Sequence, residues 1–425
     1  MSIARALADW AVAITPTDDE LALADRSLLD TVAVALAAAT HPIRRIADAL
    51  TPEPQGPEAD AARWALLAHV IDFDDLHLPS TTHISTVCVP VALATAGHDA
   101  ELARRAYLAG AGVMARLGVA LGWEHYTAGW HATTTSGAPA AAATAGVALG
   151  LDADRLAIAI ALSIPAAGGV QRAFGTDAKS LQVGMAAAAG VRAARLAAAG
   201  ASADPFVIEE WMRLLGGDAT HALVTDPASD VAIIPDGLAI KVYPACYALQ
   251  RPIGALRETL GRTVSPDEVR AIRLKTPRGT VTPLVHHEPR TGLEGKFSLE
   301  YAAATALLDE HSGFWAFDDE AVRRTEAASL VERTEITLTE GGGDGLLDGA
   351  VEVEVDLADG TTRTGSLDLP PGSPGKPSTA EEMTAKVSDC LALGRIDDVT
   401  PGQISWATGA ELLTTHLAPG PHPGA

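Results

Sequence analysis

Val269-Arg270-Ala271-Ile272-Arg273-Leu274-Lys275 alternates apolar and polar side chains, the pattern of a strand buried on one face. The texture of the chain changes here, and that change decides the fold class. Downstream the alternation returns in residues 334–339 and 351–357, on either side of the glycine-rich loop 341–345. Asp359-Gly360 reads as a hairpin turn into residues 361–367. Helical stretches near 298–309, 318–328 and 379–393 accompany these strands, which predicts an α+β unit.

Upstream the signals are helical. Thr17-x-x-Glu20 reads as a capping box ahead of a helix over 21–39, because Thr accepts from the third helical amide while Glu reaches back. Residues 41–58 carry Pro42, Pro52, Pro54 and Pro57 and read as a loop. Further helices are predicted near 59–72, 85–97, 100–121, 137–150, 153–164 and 181–199. Hydrophobic residues make up 48 % of the chain but aromatics only 4 %, so small aliphatic side chains must build the core. Closely packed, Ala-rich helices satisfy that requirement. The expected fold is mostly α. A large all-helical domain spans 1–262, and a smaller α+β domain spans 263–396. A segment over 397–425 returns to the helical domain, and its last residues are disordered.

The 425-residue chain has a formal net charge of −23, which argues against a nucleic-acid partner but leaves room for a small anion in a locally cationic pocket. Cys88, Cys246 and Cys390 lie far apart, as in a reduced, cytoplasmic protein. The N-terminus lacks a signal-peptide layout, and no apolar run reads as a membrane span.

Chemistry concentrates in Asp72-Phe73-Asp74-Asp75-Leu76-His77, followed by His83. Carboxylates and imidazoles amid Ala, Val and Leu need partners, solvent or a role, and proton-transfer and metal sites both favour them. A solvated helix terminus is the plain alternative. A metal held by Asp72, Asp74, Asp75, His77 and His83 would lack the HxxxH or HExxH spacing, so no metal is assigned. His131 lies in Gly129-Trp130-His131-Ala132-Thr133-Thr134-Thr135-Ser136-Gly137. That turn either offers amides and hydroxyls to an anion or simply caps a helix. Lys179 follows Phe174-Gly175-Thr176-Asp177-Ala178, and Lys241 lies in Ile240-Lys241-Val242-Tyr243-Pro244-Ala245-Cys246-Tyr247. A lysine among apolar groups snorkels to water or pairs with an anion; two of them favour a carboxylate site.

The DFDD segment with His83, GWHATTTSGA, FGTDAK, IKVYPACY, TGLEGKFSLEY over 291–301 and Pro374-Gly375-Lys376-Pro377-Ser378 occur in that order. Together they resemble the MmgE/PrpD family, whose members include 2-methylcitrate dehydratase, cis-aconitate decarboxylase and iminodisuccinate epimerase. The resemblance covers nearly the whole chain. It implies a helical domain built from both chain ends, an α+β lid domain, a homodimer, and chemistry without metal or organic cofactor. Asp72, His83, His131, Lys179, Lys241 and Tyr301 match family active-site positions. Three departures stand out. Leu76 replaces the Thr that follows DFDD in the decarboxylase pattern, and the spacing to His83 is one residue longer. Gln182 replaces a histidine in Leu181-Gln182-Val183-Gly184, and Gln250 replaces one after Tyr243-Pro244. Gln binds by hydrogen bonds but cannot shuttle a proton.

The resemblance implies a cofactor-independent lyase that removes an α-proton and eliminates a β-leaving group from a small polycarboxylate or analogue, as dehydration does. A substrate from a specialised biosynthetic pathway fits the two histidine losses. The alternatives are decarboxylation of a cis-aconitate-like acid, epimerisation of an amino- or imino-diacid, and non-catalytic carboxylate binding. His131 and His83 are the expected base and acid, in an order the sequence leaves open. Asp72 is expected to orient His83, and Lys179 and Lys241 to grip substrate carboxylates, with Thr133, Gln182 and Gln250 binding beside them. Tyr301 is expected to close over the substrate from the lid.

Overall fold

Helix formation at the N-terminus follows the local signals. The computed structural model describes residues 1–50, 55–228, 231–341, 343 and 345–419. In α1 (Ile3–Ala13) the Ser2 side chain caps the Arg5 amide. α2 (Asp18–Ala37) carries both halves of the expected capping box. The proline-rich stretch contains a short α3 (Arg44–Ala47), while its residues 51–54 lie outside the described ones. α4 (Pro57–Val70) opens on a proline, whose missing N–H costs nothing at that position. α5 (Ser85–Thr95), α6 (Ala100–Thr127), α7 (Ala132–Ala148), α8 (Ala153–Ser163) and α9 (Asp177–Ala198) follow. α7 and α9 each start about one turn before their predicted positions. In α7 the early turn holds because the Thr134 and Thr135 hydroxyls donate to the His131 carbonyl. α10 (Val207–Leu215) and α11 (Ala222–Thr225) were not expected.

Every residue of α7 is buried, against α5, α6, α8 and α9. The helices pack closely because glycines sit at the crossings. A Cβ on Gly190 would collide with Ala141 and the Ala142 amide, and one on Gly110 with Thr144. α6 is long and apolar enough to cross a membrane by composition, yet 83 % of its apolar window is buried inside the protein.

The α+β part contains α12 (Gln250–Leu260), β1 (Val269–Thr276), α13 (Arg278–Val281), α14 (Gly292–Gly295) and α15 (Leu299–Leu308). Then come α16 (Asp319–Val322), α17 (Thr325–Val331), β2 (Thr334–Leu338), β3 (Val351–Leu357) and β4 (Thr362–Leu367). The stretch expected as one helix over 318–328 is thus two, broken at Arg323 and Arg324. The sheet order is β2-β1-β3-β4, with β1 parallel to β2 and the other pairs antiparallel. β3 alternates buried and less buried positions, as its sequence requires, and Asp359-Gly360 forms the hairpin to β4. α12 and α15 pack with this sheet in a second hydrophobic core, which also takes in Ala239 and Ala245–Leu249.

The chain then returns. α18 (Ala380–Gly394) packs against α2, and α19 (Gly409–His416) against α2 and α5; Val387, Cys390 and Leu413 join the first core. Residues 420–425 of the tail lie outside the described residues. The protein is mostly helical, with one small mixed sheet in the C-terminal part, as its alternating strands predict.

Candidate active site

The turn after α4 sorts the three neighbouring carboxylates to three different partners. Asp72 adopts a left-handed backbone, φ 57°, which Asp tolerates better than most residues. Its Oδ1 accepts from Lys179 Nζ at 3.0 Å and Lys241 Nζ at 2.6 Å; Lys241 also donates to the Asp72 carbonyl at 2.9 Å. Burial pushes this carboxyl up, but Lys179 and Lys241 outweigh it and hold the group well below the usual carboxylate range.

Asp74 turns to the histidines. His69, in the last turn of α4, lies 2.7 Å from Asp74 Oδ2 through Nδ1. His83 Nδ1 lies 3.2 Å from the same oxygen, at ion-pair distance but bent away from a straight hydrogen bond. Asp75 serves the fold instead. It accepts from the Ser85 amide at 3.2 Å and from the Ser85 hydroxyl at the start of α5, and burial raises its carboxyl to about 7. His77 is likewise structural, held by Ser80 Oγ at 2.7 Å and the Pro235 carbonyl at 2.6 Å.

His131 stands at the N-terminus of α7, and its Nδ1 lies 3.3 Å from Gln182 Oε1. Its buried Nε2 has no hydrogen-bond partner among the described residues. Gln182 Oε1 also accepts from the Val170 amide at 3.1 Å, so this glutamine orients the ring. Thr133 Oγ1 accepts from the His83 amide at 3.1 Å, tying the two histidine-bearing segments together. The other hydroxyls of the turn donate to helix carbonyls, so capping-type bonding uses the groups an anion would need. Burial lowers the basicity of His69, to about 4, and of His83 and His131. Burial thus disfavours the charged form of all three rings.

Asp72, His83, His131, Thr133 and Lys179 line one narrow cavity of about 30 Å³, room for about one water molecule. Pro283, Phe297 and Leu346 of the α+β part close its opposite side, with Phe174, Cys246 and Tyr247 between. A larger cavity of about 630 Å³, beside Arg257 and Glu310, contains no imidazole. Of the expected site residues, the structure gathers Asp72, His83, His131, Thr133 and Lys179 at the cavity, and Lys241 and Gln182 directly behind it.

Three expected roles are corrected. Asp72, expected beside His83, is taken by the two lysines, and the carboxylate at contact distance from His83 is Asp74, 3.2 Å from Nδ1. Tyr301 does not face the cavity. Its hydroxyl donates to the Ala316 carbonyl and its ring packs on Phe317, while Phe297, four residues earlier, reaches the cavity. Gln250 does not face substrate either. Its Oε1 accepts from the amides of Val242 and Tyr243, and its Nε2 donates to the carbonyls of Tyr243 and Ala245. It clamps the turn that carries Lys241. Gln250→Leu should cost about 1–3 kcal/mol in denaturant unfolding, because it orphans backbone groups at a closely packed turn. A loss below a few tenths would remove the clamp from this account.

Sequence reasoning missed His69, a polar residue after the apolar run Trp64–Ala68 of α4, and it missed two lysines that act on backbone. Lys296 donates to the Ile71 and Pro244 carbonyls. Lys386 of α18 donates to the Phe73 carbonyl at 2.8 Å and the Lys241 carbonyl at 3.0 Å and pairs with Asp30 at 2.6 Å. Each pins a peptide next to a buried aspartate, Asp72 or Asp74, which no sequence spacing announces. Burial lowers the Lys296 ammonium to about 7, against an ordinary value of about 10.4. The folded protein therefore binds fewer protons here than the unfolded chain between those values. Stability should rise with pH across that window, with a slope of up to about 1.4 kcal/mol per pH unit. Comparing wild type with Lys296→Met from pH 7 to 10 checks this; equal slopes would refute it.

His69, Asp74 and His83 each offer a donor atom within 4.8 Å of the others, the one such set among the described residues. Both imidazole Nδ1 atoms lie against a single carboxylate oxygen rather than around a common centre, which is the geometry of a proton-sharing unit. No curated protein matches the chain. Family models for the MmgE/PrpD N-terminal domain and the MmgE/PrpD C-terminal domain match residues 5–217 and 243–399. The chain belongs to the MmgE/PrpD family.

Proposed function

We propose that this protein is a lyase that abstracts an α-proton from a small carboxylic acid and expels a β-leaving group, dehydration being the first candidate. One observation carries the reading: two histidines, His83 and His131, line a single cavity together with Lys179, and burial lowers the basicity of both rings. A neutral imidazole is a base, and its partner on the far nitrogen decides how well it holds the proton it takes. Asp74 stands behind His83 and would stabilise the imidazolium; Gln182 behind His131 carries no charge to do so. His83 is therefore the base in this reading. Lys179 steadies the developing enolate and is the nearest acid for a departing hydroxide, and Lys241 holds Asp72 in place. The water-sized cavity requires the wall formed by Pro283, Phe297 and Leu346 to move for substrate entry, so the α+β part acts as a lid.

Epimerisation is the second reading, favoured by two histidines at one cavity: His83 would take the α-proton, and His131, entering the reaction protonated, would return one. Proton NMR in D₂O separates the readings, using 2-methylcitrate, citrate, cis-aconitate and amino-diacids as the panel. New alkene signals support elimination. Deuterium at an α-carbon without net conversion supports epimerisation. Binding of a panel acid with neither signal, unchanged in His131→Ala, would turn the reading toward a carboxylate-binding protein.

A further inference from the structure

His69 occupies the centre of the cluster without reaching substrate. Its ring meets His83 edge-on, with centroids 4.8 Å apart, and stacks on His131 at 5.8 Å. Its Nδ1 holds Asp74 Oδ2 at 2.7 Å, the shorter and straighter of the two imidazole contacts to that oxygen. His69 does not line the cavity, and its buried Nε2 has no partner among the described residues. The unpartnered nitrogen identifies the tautomer. A buried N–H without an acceptor is rarer and costlier than a bare lone pair, so the proton belongs on Nδ1, directed at Asp74. The other Asp74 oxygen, Oδ1, has no partner among the described residues, so the rotamer of this carboxylate rests on Oδ2 and chiefly on His69.

We infer that His69 is a positioning residue: it holds Asp74 Oδ2 3.2 Å from His83 Nδ1, so that this carboxylate, reached by a bent contact rather than a full hydrogen bond, is what draws the His83 proton to Nδ1 and leaves Nε2 unprotonated. Without His69 the carboxylate would lose its main partner in a dry site. It would then turn toward Lys241 or take up a proton, and either change releases the His83 ring. This deepens the proposed reaction and rests on that reading for its kinetic consequence, but the tautomers themselves do not depend on any substrate.

The test uses ¹⁵N-histidine-labelled protein at neutral pH, with His83 and His69 assigned by the signals lost in His83→Asn and His69→Leu. In the wild type both rings should show protonated Nδ1 and bare Nε2. In His69→Leu the His83 ring should lose that preference, and turnover of whichever panel acid is accepted should fall on the order of 10²-fold in kcat with little change in KM. His69→Asn places an amide N–H where Nδ1–H lies and should restore both the His83 tautomer and most of kcat. A wild-type His69 protonated on Nε2 would overturn the inference, as would an unchanged His83 tautomer in a folded His69→Leu. Should His69→Leu not fold, His69→Ala supplies the assignment, and the wild-type spectrum with His69→Asn decides: loss of the His83 tautomer in His69→Asn also overturns it. Silence of the whole acid panel with the expected tautomers present would count against the lyase reading alone.

Discussion

Asp72→Asn should destabilise the protein by about 3–5 kcal/mol, the usual cost of removing one partner from a buried ion pair. Here one carboxylate oxygen neutralises two ammonium groups, Lys179 and Lys241, both nearly inaccessible. The substitution isolates charge from conformation, because Asn, like Asp, tolerates the left-handed backbone at this position. A further signature distinguishes lost charge from lost packing. With the anion gone, a buried lysine gains by shedding its proton, so the variant should recover stability as the pH rises above neutrality. The wild-type contribution has the opposite limb. Its folded carboxyl lies well below the unfolded value of about 3.9, so the stabilisation is complete above that pH and fades only as the pH falls toward the folded value. Urea unfolding of both proteins from pH 3 to 9 measures this; a loss under about 1 kcal/mol at pH 7 would mean that the ammonium groups find other partners.

His83→Asn should lower turnover by about 10²–10⁴-fold, the range expected for a general base. The Asn amide reproduces the donor that faces Asp74 but supplies no proton acceptor at the position of Nε2, so fold and Asp74 geometry are retained while basicity is lost. Solvent-deuterium incorporation into an accepted acid reads the loss directly. The same substitution at His131 should cost less if Asp74 is what makes His83 the stronger base, and equal losses would favour the two-base, epimerase reading. An active His83→Asn would sink the assignment of the base.

Much of the fold was legible because its signals are local. The Thr17–Glu20 capping box, the alternation in β1 and β3 and the Asp359-Gly360 hairpin each state their geometry within a few residues. The family motifs led to His83, His131 and Lys179, which the structure places at one cavity. What the sequence hid was direction. Asp72, Asp74 and Asp75 look equivalent in a run, yet a left-handed residue at the head of the turn sends them to lysines, histidines and a helix start. Tyr301 lies four residues from a residue that reaches the cavity, and the α14–α15 corner points it into its own core. Gln250 sits beside a turn so tight that its amide bonds backbone before it could meet substrate. His69, Lys296 and Lys386 act on groups 5, 225 and 313 positions away, at least two of which no periodicity could pair.

The Lys386 contact also sets an order of events in the life of the chain. A ribosome delivers Asp72, Asp74, His83, His131, Lys179 and Lys241 long before it delivers α18. Until then the carbonyls of Phe73 and Lys241 lack the ammonium that later holds them, and the buried Asp30 lacks its counter-charge. The nascent N-terminal helices can gather, but the turn over 72–75 is fastened only when α18 emerges and packs on α2. A chain cut just before α18 would therefore carry Asp72, Asp74, His83, His131, Lys179 and Lys241 yet lack the ammonium that holds the peptides of Phe73 and Lys241 in place.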